Sequence, residues 1–579
     1  MSRIDELVKQ AQDHASAGRH DQALGLLTRA LQAEPRHLGV LAGLCLTHHS
    51  KGDRVRALYF ARRARDAYDT PETRLNLAIQ LALTHDGEGA LRELEPVLDG
   101  ERAFGPACFR AARILADLGR PDEAAARARG WADRWPDVPP LWQAHVEALS
   151  RLGDTRGQMA AIREGLRRFP RYRPFAEWLA STALYVDDMP EAEVHELARA
   201  HAALLPPAPP PESIPRRAPD GTIRLGLLSP DFRTHSVSYF LLPLLRGLWG
   251  GRVKVFLYDT GDEHDAMTGA LRGLAASWKW CRPLKDGQIA QVIRRDGVDV
   301  LLDLAGLTRG CTPGVLATRA ARVQGSFLGY AGMTFLPGCD VRIADATTDP
   351  PGSEVAGAER LERLDPCFLC YQPGELPAAR ATARRAGVSF GSFNALSKVS
   401  PAAVALWSRV LREVADSRMI IKAWGLEAEA SRARLRGLFA GHGVGADRLD
   451  LRGLNATARE HLESYHEVDV ALDSYPYHGT TTTCEAMAMG VPVVTRVGAA
   501  HRSRVGLTLL SNAGLADLCA ADDEAFVRTA AAIARDPARR EAMRDEGDDG
   551  LRARLARSVL SDAAGYAERF EALMGVMVG

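Results

Sequence analysis

A helical repeat array followed by two doubly wound α/β halves is the fold class this chain predicts. Three observations predict it. A Gly/Ala pattern recurs at intervals of 34, 33 and 34 residues, counted between Ala23, Ala57, Ala90 and Ala124. A proline-rich break follows at 206–211. Beyond it, short apolar runs alternate with helical segments, the pattern of βα units in parallel sheets.

Gly18, Gly52, His85 and Gly119 open the first four repeat units, and a fifth begins at Gly153 with Gln158 in place of the alanine. Pro35, Pro71, Pro136 and Pro170 close units. Glycine suits a left-handed turn, and a small residue lets two helices cross closely. This looks like the tetratricopeptide repeat, two helices per unit. The other reading is an Ala/Leu/Arg-rich bundle with chance periodicity. A repeat solenoid of this kind implies a protein or peptide partner in its concave groove.

The 579 residues suffice for several domains. Lys plus Arg (73) balances Asp plus Glu (73), so no global charge points to nucleic acid or a membrane surface. Asp5 and Glu6 stand where a secretory peptide needs an apolar core. The best apolar stretch, 239–248, is short and holds Pro243 and Arg246. Nine scattered cysteines fit reduced thiols and a cytoplasmic location. Cys367 and Cys370 form an isolated CxxC and read as structural.

A bridging helix is expected at 190–204, before Pro206, Pro207, Pro209, Pro210, Pro211, Pro215 and Pro219, which stiffen a linker. Strands are expected at 223–228, 253–258, 298–304 and 323–328, then at 388–393, 418–423, 449–452, 468–472 and 491–495. The domains so read are repeats over 1–185, bridging helix and linker over 186–220, and two halves over 221–385 and 386–579. In such sheets ligands bind beyond the carboxyl ends of the strands. Residues 231–235, 394–398 and 475–485 all fall just there.

The richest of these segments runs from Leu472 to Glu485. A buried strand, a Gly-Thr turn at Gly479 and a helix starting at the threonines form an anion site. The first N–H groups of that helix lack partners, and its dipole favours negative charge. The hydroxyls of Thr480, Thr481, Thr482 and Thr483 add donors. Glu485 either accepts from a sugar diol or complements the helix dipole. Lys398 either neutralises a diphosphate or is a solvated lysine at a helix start. His235 is a general base or a loop histidine tied to Asp231. His461 stacks on a base or lies at the surface. Arg502 and Arg504 reach phosphate or form ion pairs, and Asp303, Gly306 and Thr308 shape a wall. No Asp-x-Asp with flanks for Mg²⁺ follows a strand, so lysine and helix start are expected to serve without metal or other cofactor.

The repeats, followed by DFRTHSVSYF (231–240), GSFNALSK (391–398) and LDSYPYHGTTTTCEAMAMGVPVVT (472–495), resemble the protein O-GlcNAc transferases and their SPINDLY relatives, especially short bacterial homologues. Gly329-Tyr330-Ala331-Gly332 resembles that family's Gly-Tyr-Pro-Gly loop. The resemblance implies a GT-B fold and an inverting transfer from UDP-N-acetylglucosamine to Ser or Thr hydroxyls of proteins. It implies that Lys398 stabilises the leaving UDP and that Gly479, Thr480, Thr481 and Thr482 hold phosphate. It places Glu485 at the ribose, His461 and the Ala456 backbone at uracil, and His235 near sugar and acceptor. A phosphate oxygen or a water chain is the alternative base. Ala395 replaces a family glutamine and Thr480 a histidine, and the wording lies nearer the SPINDLY branch, whose plant members use GDP-fucose. GDP-fucose is therefore the alternative donor, and a non-catalytic repeat scaffold the third reading.

Overall fold

The computed structural model describes residues 2–16, 18–98, 104–215, 220–379 and 387–579. Pro219 and the expected boundary at 385/386 lie outside them. The chain divides into two units, Met1–Pro170 with Ala428–Ser431, and Arg171–Glu427 with Arg432–Gly579.

In the first unit the described residues form ten helices, from Arg3–Ser16 to Thr155–Arg168, each packed on the next. The recurrent alanines Ala23, Ala57, Ala90 and Ala124 are each 0 % exposed, which is why a larger residue does not replace them. Gly52 and Gly119 both turn at φ +77°, with open space where a Cβ would stand. Backbone conformation, not crowding, therefore selects glycine. His85 holds the same left-handed conformation (φ 64°) at the unit that lacks the glycine. Asp53, Asp86 and Asp154 follow these turns and cap the next helix, accepting from the N–H of Arg56, Gly89 and Gly157. Each such cap is worth about 1 kcal/mol.

The second unit holds two parallel sheets. Strands β1 (Ile223–Ser229), β2 (Val253–Asp259), β3 (Ser277–Trp280), β4 (Val300–Asp303), β5 (Val323–Ser326), β6 (Val341–Ala344) and β7 (Arg360–Arg363) lie in the order 3-2-1-4-5-6-7. Strands β8 (Val388–Ser392), β9 (Ser417–Lys422), β10 (Leu449–Arg452), β11 (Val470–Leu472), β12 (Val493–Arg496) and β13 (Cys519–Ala520) lie in the order 10-9-8-11-12-13. Both are the doubly wound order, with its switch point between β1 and β4 and between β8 and β11. All nine expected strands are present. Sequence reading missed β3, β6, β7 and β13. β3 carries Ser and Lys and is half-buried at a sheet edge, β6 contains a buried arginine, β7 is charged, and β13 spans two residues.

Two helical segments join the halves. The helices Arg173–Ala183 and Glu191–Ala202 pack together, and Leu184, Val194, Ala198 and Leu205 enter the core beside Leu228, Leu301 and Leu336 of the first half. On the second half, Asp187 accepts from the Ala402 N–H (2.6 Å) and Glu191 pairs with Arg502 (2.6 Å). The last helix, Ala563–Val578, follows the second sheet in sequence but packs on the first half. Its Phe570 ring lies 5.7 Å from Phe327, and Glu571 binds Arg252 at 2.7 Å. No helix among the described residues is long and apolar enough to cross a membrane.

Candidate active site

The loop after β11 is built around the buried carboxylate of Asp473. One oxygen accepts from the N–H of Ser474 (2.9 Å) and Gly479 (2.7 Å), and the other from Thr495 Oγ1 (2.7 Å). The fully buried His478 ring donates from Nε2 to the Arg496 carbonyl (2.9 Å) and accepts the Gly506 N–H at Nδ1 (3.1 Å). The turn is thus rigid before any ligand arrives.

The helix Thr481–Ala488 starts directly after it, with Thr480 at the N-cap. The four hydroxyls are not equivalent. Thr483 Oγ1 donates to the Gly479 carbonyl (3.1 Å) and Thr482 Oγ1 to Asn394 Oδ1 (2.9 Å). Thr481 Oγ1 is buried without a partner. An orphaned hydroxyl beside unpartnered helix N–H groups suits a phosphate oxygen. Gly479 is needed here for space. A Cβ would lie 2.6 Å from Thr482 Oγ1 and 2.8 Å from Asn394 Oδ1. Gly479→Ala is expected to weaken nucleotide binding at least ~tenfold, read by calorimetry, and to lower stability by about 1–3 kcal/mol through the crowding.

Lys398, after β8, points its Nζ at the His478 carbonyl (2.8 Å) and stands 4.3 Å over the Tyr477 ring. Burial lowers its pKa to about 8, opposed by Asp473. Tyr185, between the two bridging helices, stacks on Tyr477 at 4.8 Å and 6°. Lys398 thus meets the turn, 80 residues on, from which the threonine helix starts.

Glu485, one helical turn on, accepts from His461 Nε2 (3.0 Å) and lies within 3.5 Å of the Tyr465 hydroxyl. Phe393, His461 and Tyr465 form an aromatic wall with centroids 4.5 to 6.0 Å apart. Behind it lies Lys422, which sequence reading missed. Its ammonium binds Asn455 Oδ1 (2.6 Å) and the His461 carbonyl (3.2 Å), 4.4 Å over the Phe393 ring. Burial lowers its pKa to about 8, with Glu485 opposing. A lysine ending the apolar run Met419-Ile420-Ile421 was the available clue. The Ala456 N–H is taken by the Glu460 carboxylate (3.1 Å), so this exposed residue offers its carbonyl.

On the first half His235 caps the helix Ser236–Leu248, accepting the Val237 N–H at Nδ1 (3.3 Å), with Asp231 3.8 Å away. Burial lowers its pKa, so the ring is neutral and its proton belongs on Nε2. Tyr239, one turn into that helix, has its hydroxyl pKa raised by burial and then by Glu485 and Asp265. A further pair lies beyond β2, where buried Asp259 orients His264 (2.6 Å).

Other expected residues serve the scaffold. Arg502 pairs with Glu191, Arg504 binds the Thr347 carbonyl (2.7 Å), and Asp303 folds back on the Gly306 N–H (2.7 Å). Cys367 and Cys370 are buried in the core. Among the described residues no group of three or more His, Cys, Asp or Glu is arranged to hold a metal ion.

Residues 208–371 and 381–569 match glycosyl transferase family 41. Over 364 residues the chain is 35 % identical to a tomato (Solanum lycopersicum) protein named probable UDP-N-acetylglucosamine–peptide N-acetylglucosaminyltransferase SPINDLY, covering 62 % of this chain and 39 % of that one. The Arabidopsis thaliana protein of the same name is 37 % identical over 325 residues, 55 % of this chain and 36 % of its own. The chain thus spans under two-fifths of the length of these curated relatives. A lysine-to-methionine mutant of the O-GlcNAc transferase of Thermobaculum terrenum matches with a TM-score of 0.69 at 26 % identity, covering 100 % of this chain and 98 % of that one. The architecture is therefore that of tetratricopeptide repeats joined to a GT-B glycosyltransferase. With both halves inside the match, the chain belongs to glycosyl transferase family 41.

Proposed function

We propose that the chain is an inverting glycosyltransferase that moves N-acetylglucosamine from UDP-N-acetylglucosamine to Ser or Thr hydroxyls of proteins. The observation that carries this is the placement of Lys398 against the turn from which the threonine helix starts, with the Thr481 hydroxyl buried and unpartnered at that helix start. The relatives' names supply the donor.

In this reading the acceptor oxygen attacks C1 of the sugar opposite the diphosphate. The new C–O bond forms as the bond from C1 to the bridging phosphate oxygen breaks, and the helix N–H groups and the Lys398 ammonium take up the charge left on UDP. Glu485 receives the ribose hydroxyls, and the Phe393–His461 wall, backed by Lys422, faces the base. His235 presents Nε2–H to the cleft. It becomes the base only by releasing the Val237 N–H from Nδ1; otherwise the proton leaves through phosphate or water. The repeats receive the acceptor chain, in a cytoplasm that keeps the nine thiols free.

Thermal shift with UDP, GDP and their sugars tests the donor. At a hundredfold excess over Kd, linkage adds ~2.7 kcal/mol, so UDP is expected to raise Tm by several degrees. Stabilisation by GDP and not UDP would overturn the donor assignment in favour of a GDP-sugar. Labelled-sugar transfer to protein then reads the activity itself.

A further inference from the structure

We propose that Tyr185 is a positioning residue for Lys398: the segment between the two bridging helices, packed into the first half, reaches onto the second and holds the lysine through the Tyr477 ring. The inference deepens the proposed function and rests on reading Lys398 as the group that meets the donor diphosphate.

A lysine side chain loses much rotamer freedom when it is held in one place, so a fixed lysine needs fixed neighbours. Lys398 ends a single turn of 3-10 helix, Leu396–Lys398. Its ammonium meets the His478 carbonyl (2.8 Å) and the face of Tyr477 (4.3 Å). The carbonyl binds one N–H. The ring, which lets a cation slide across its face, fixes the rest only if it is itself held. Tyr185 supplies that hold by a near-parallel stack, centroids 4.8 Å apart at 6°.

Tyr185 is anchored on the other side. Its neighbour Leu184 is 2 % exposed in the core that contains Leu228 of β1, Leu301 of β4 and Leu336. Two more contacts from the same segment land around Lys398. Asp187 accepts the Ala402 N–H (2.6 Å) at the start of the helix Pro401–Glu413, just after Lys398. Glu191 pairs with Arg502 (2.6 Å), whose carbonyl accepts the His478 N–H (2.9 Å). Between these points Val399 bridges to Tyr475, and Ser400 Oγ donates to the Tyr475 carbonyl (2.5 Å). The lysine strand and the 475–478 turn are thus tied to each other, and the bridging segment ties both to the first half. Moving the halves apart would draw Tyr185 off Tyr477 and free the lysine. Closure of the cleft and placement of the leaving group's counter-charge are one event.

Tyr185→Leu and Tyr185→Met remove the ring and keep an apolar side chain, while Tyr185→Phe keeps the ring. Two quantities are read on the full chain. The first is kcat and acceptor KM for labelled-sugar transfer. The second is the rate of Lys398 acetylation by acetic anhydride at about pH 7.5 without donor, read by peptide mass spectrometry against the exposed Lys9. Y185L and Y185M are expected to lower kcat ~tenfold, to change KM less than ~threefold and to speed Lys398 acetylation at least ~fivefold. Y185F should stay within ~twofold of wild type in both. In a Tyr477→Leu background Y185L should add less than ~twofold, because the path runs through that ring. Unchanged kcat and labelling per folded molecule in Y185L and Y185M, whatever their Tm, overturn the proposal, as does a Y185F variant impaired as much as Y185L. Saturating UDP should shield the wild-type lysine from acetylation. Faster labelling in Y185L together with no shielding by UDP supports the positioning role and sinks the diphosphate reading instead.

Discussion

Lys398→Ala is expected to lower sugar transfer by ~10²–10³-fold or more while leaving the chain folded. Removing a single preorganised donor from a charged transition state typically costs that much, about 3–4 kcal/mol, and here the donor also carries the compensating charge. The loss should fall on kcat more than on KM, because the charge on the UDP oxygen grows as the glycosyl bond breaks. The fold has little to lose. Burial lowers the lysine from 10.5 to about 8, so its charged form is disfavoured in the folded chain. Between pH 8 and 10.5 the unfolded chain holds a proton that the folded chain has released, so stability rises with pH across that window. In K398A this rise is absent, and Tm near pH 7 should equal or exceed the wild-type value. Activity runs the other way. Wild-type kcat/KM should fall as pH climbs through about 8, and residual K398A activity should lack that limb. A variant that keeps a tenth of wild-type transfer would remove Lys398 from the leaving-group role.

What was legible in the sequence follows from where physics leaves a one-dimensional trace. The Gly-Ala period is visible because left-handed turns and close helix crossings each demand a residue type at a fixed spacing. His85 shows the limit, since backbone context holds φ positive without a glycine. Strand β11 and the Gly-Thr turn were readable because an apolar run, a turn and a helix start follow one another directly. Lys398 was readable only as a position after a strand, with its partner left open, whereas His235 came with Asp231 four residues before it. The structure adds remote partners: the His478 carbonyl for Lys398 and Glu485 for His461. Lys422 and Tyr185 were invisible in role, because nothing in a sequence says that a strand-end lysine turns inward or that a residue between two helices reaches Tyr477. Of the threonine hydroxyls, that of Thr481 is an orphan while those of Thr482 and Thr483 engage Asn394 and Gly479, since a hydroxyl at the start of a helix finds its own loop as readily as a ligand.

Asp349→Ala is expected to destabilise the second unit by ~3–5 kcal/mol, the cost of leaving a buried charge without its counter-ion. The loop after β6 carries Asp349, whose carboxylate meets Arg342 Nη1 (3.2 Å) and, across the halves, His501 Nδ1 (2.5 Å). Arg342 is 3 % exposed and His501 8 %. Burial alone would raise the Asp349 pKa, but His501 and Arg342 outweigh it and hold the group well below the usual carboxylate range. The same loop receives Arg504 through the Thr347 carbonyl, and Asp345 accepts from Thr508 Oγ1 (2.9 Å), so this is the polar joint between the two halves. The sign follows from the depressed pKa. Stability from Asp349 is complete above the ordinary value of 3.8 and is lost as pH falls towards its folded value, so wild-type acid unfolding should begin below pH 4. D349A should lose that dependence along with several degrees of Tm. A second change, Arg342→Met in the D349A background, should recover most of the loss, because an apolar side chain of similar length needs no counter-ion. Loss of less than ~1 kcal/mol in D349A, or no recovery in the double variant, would show that the joint is held by its apolar neighbours such as Phe368, whose ring lies 5.2 Å from His501. The joint also reaches the segment that packs on Tyr477. His501 and Arg502 follow β12, and Arg502 binds Glu191 in the segment that brings Tyr185 onto Tyr477. Loosening Asp349 should therefore lower kcat as well as Tm, whereas a purely structural tether remote from the grip would lower Tm alone.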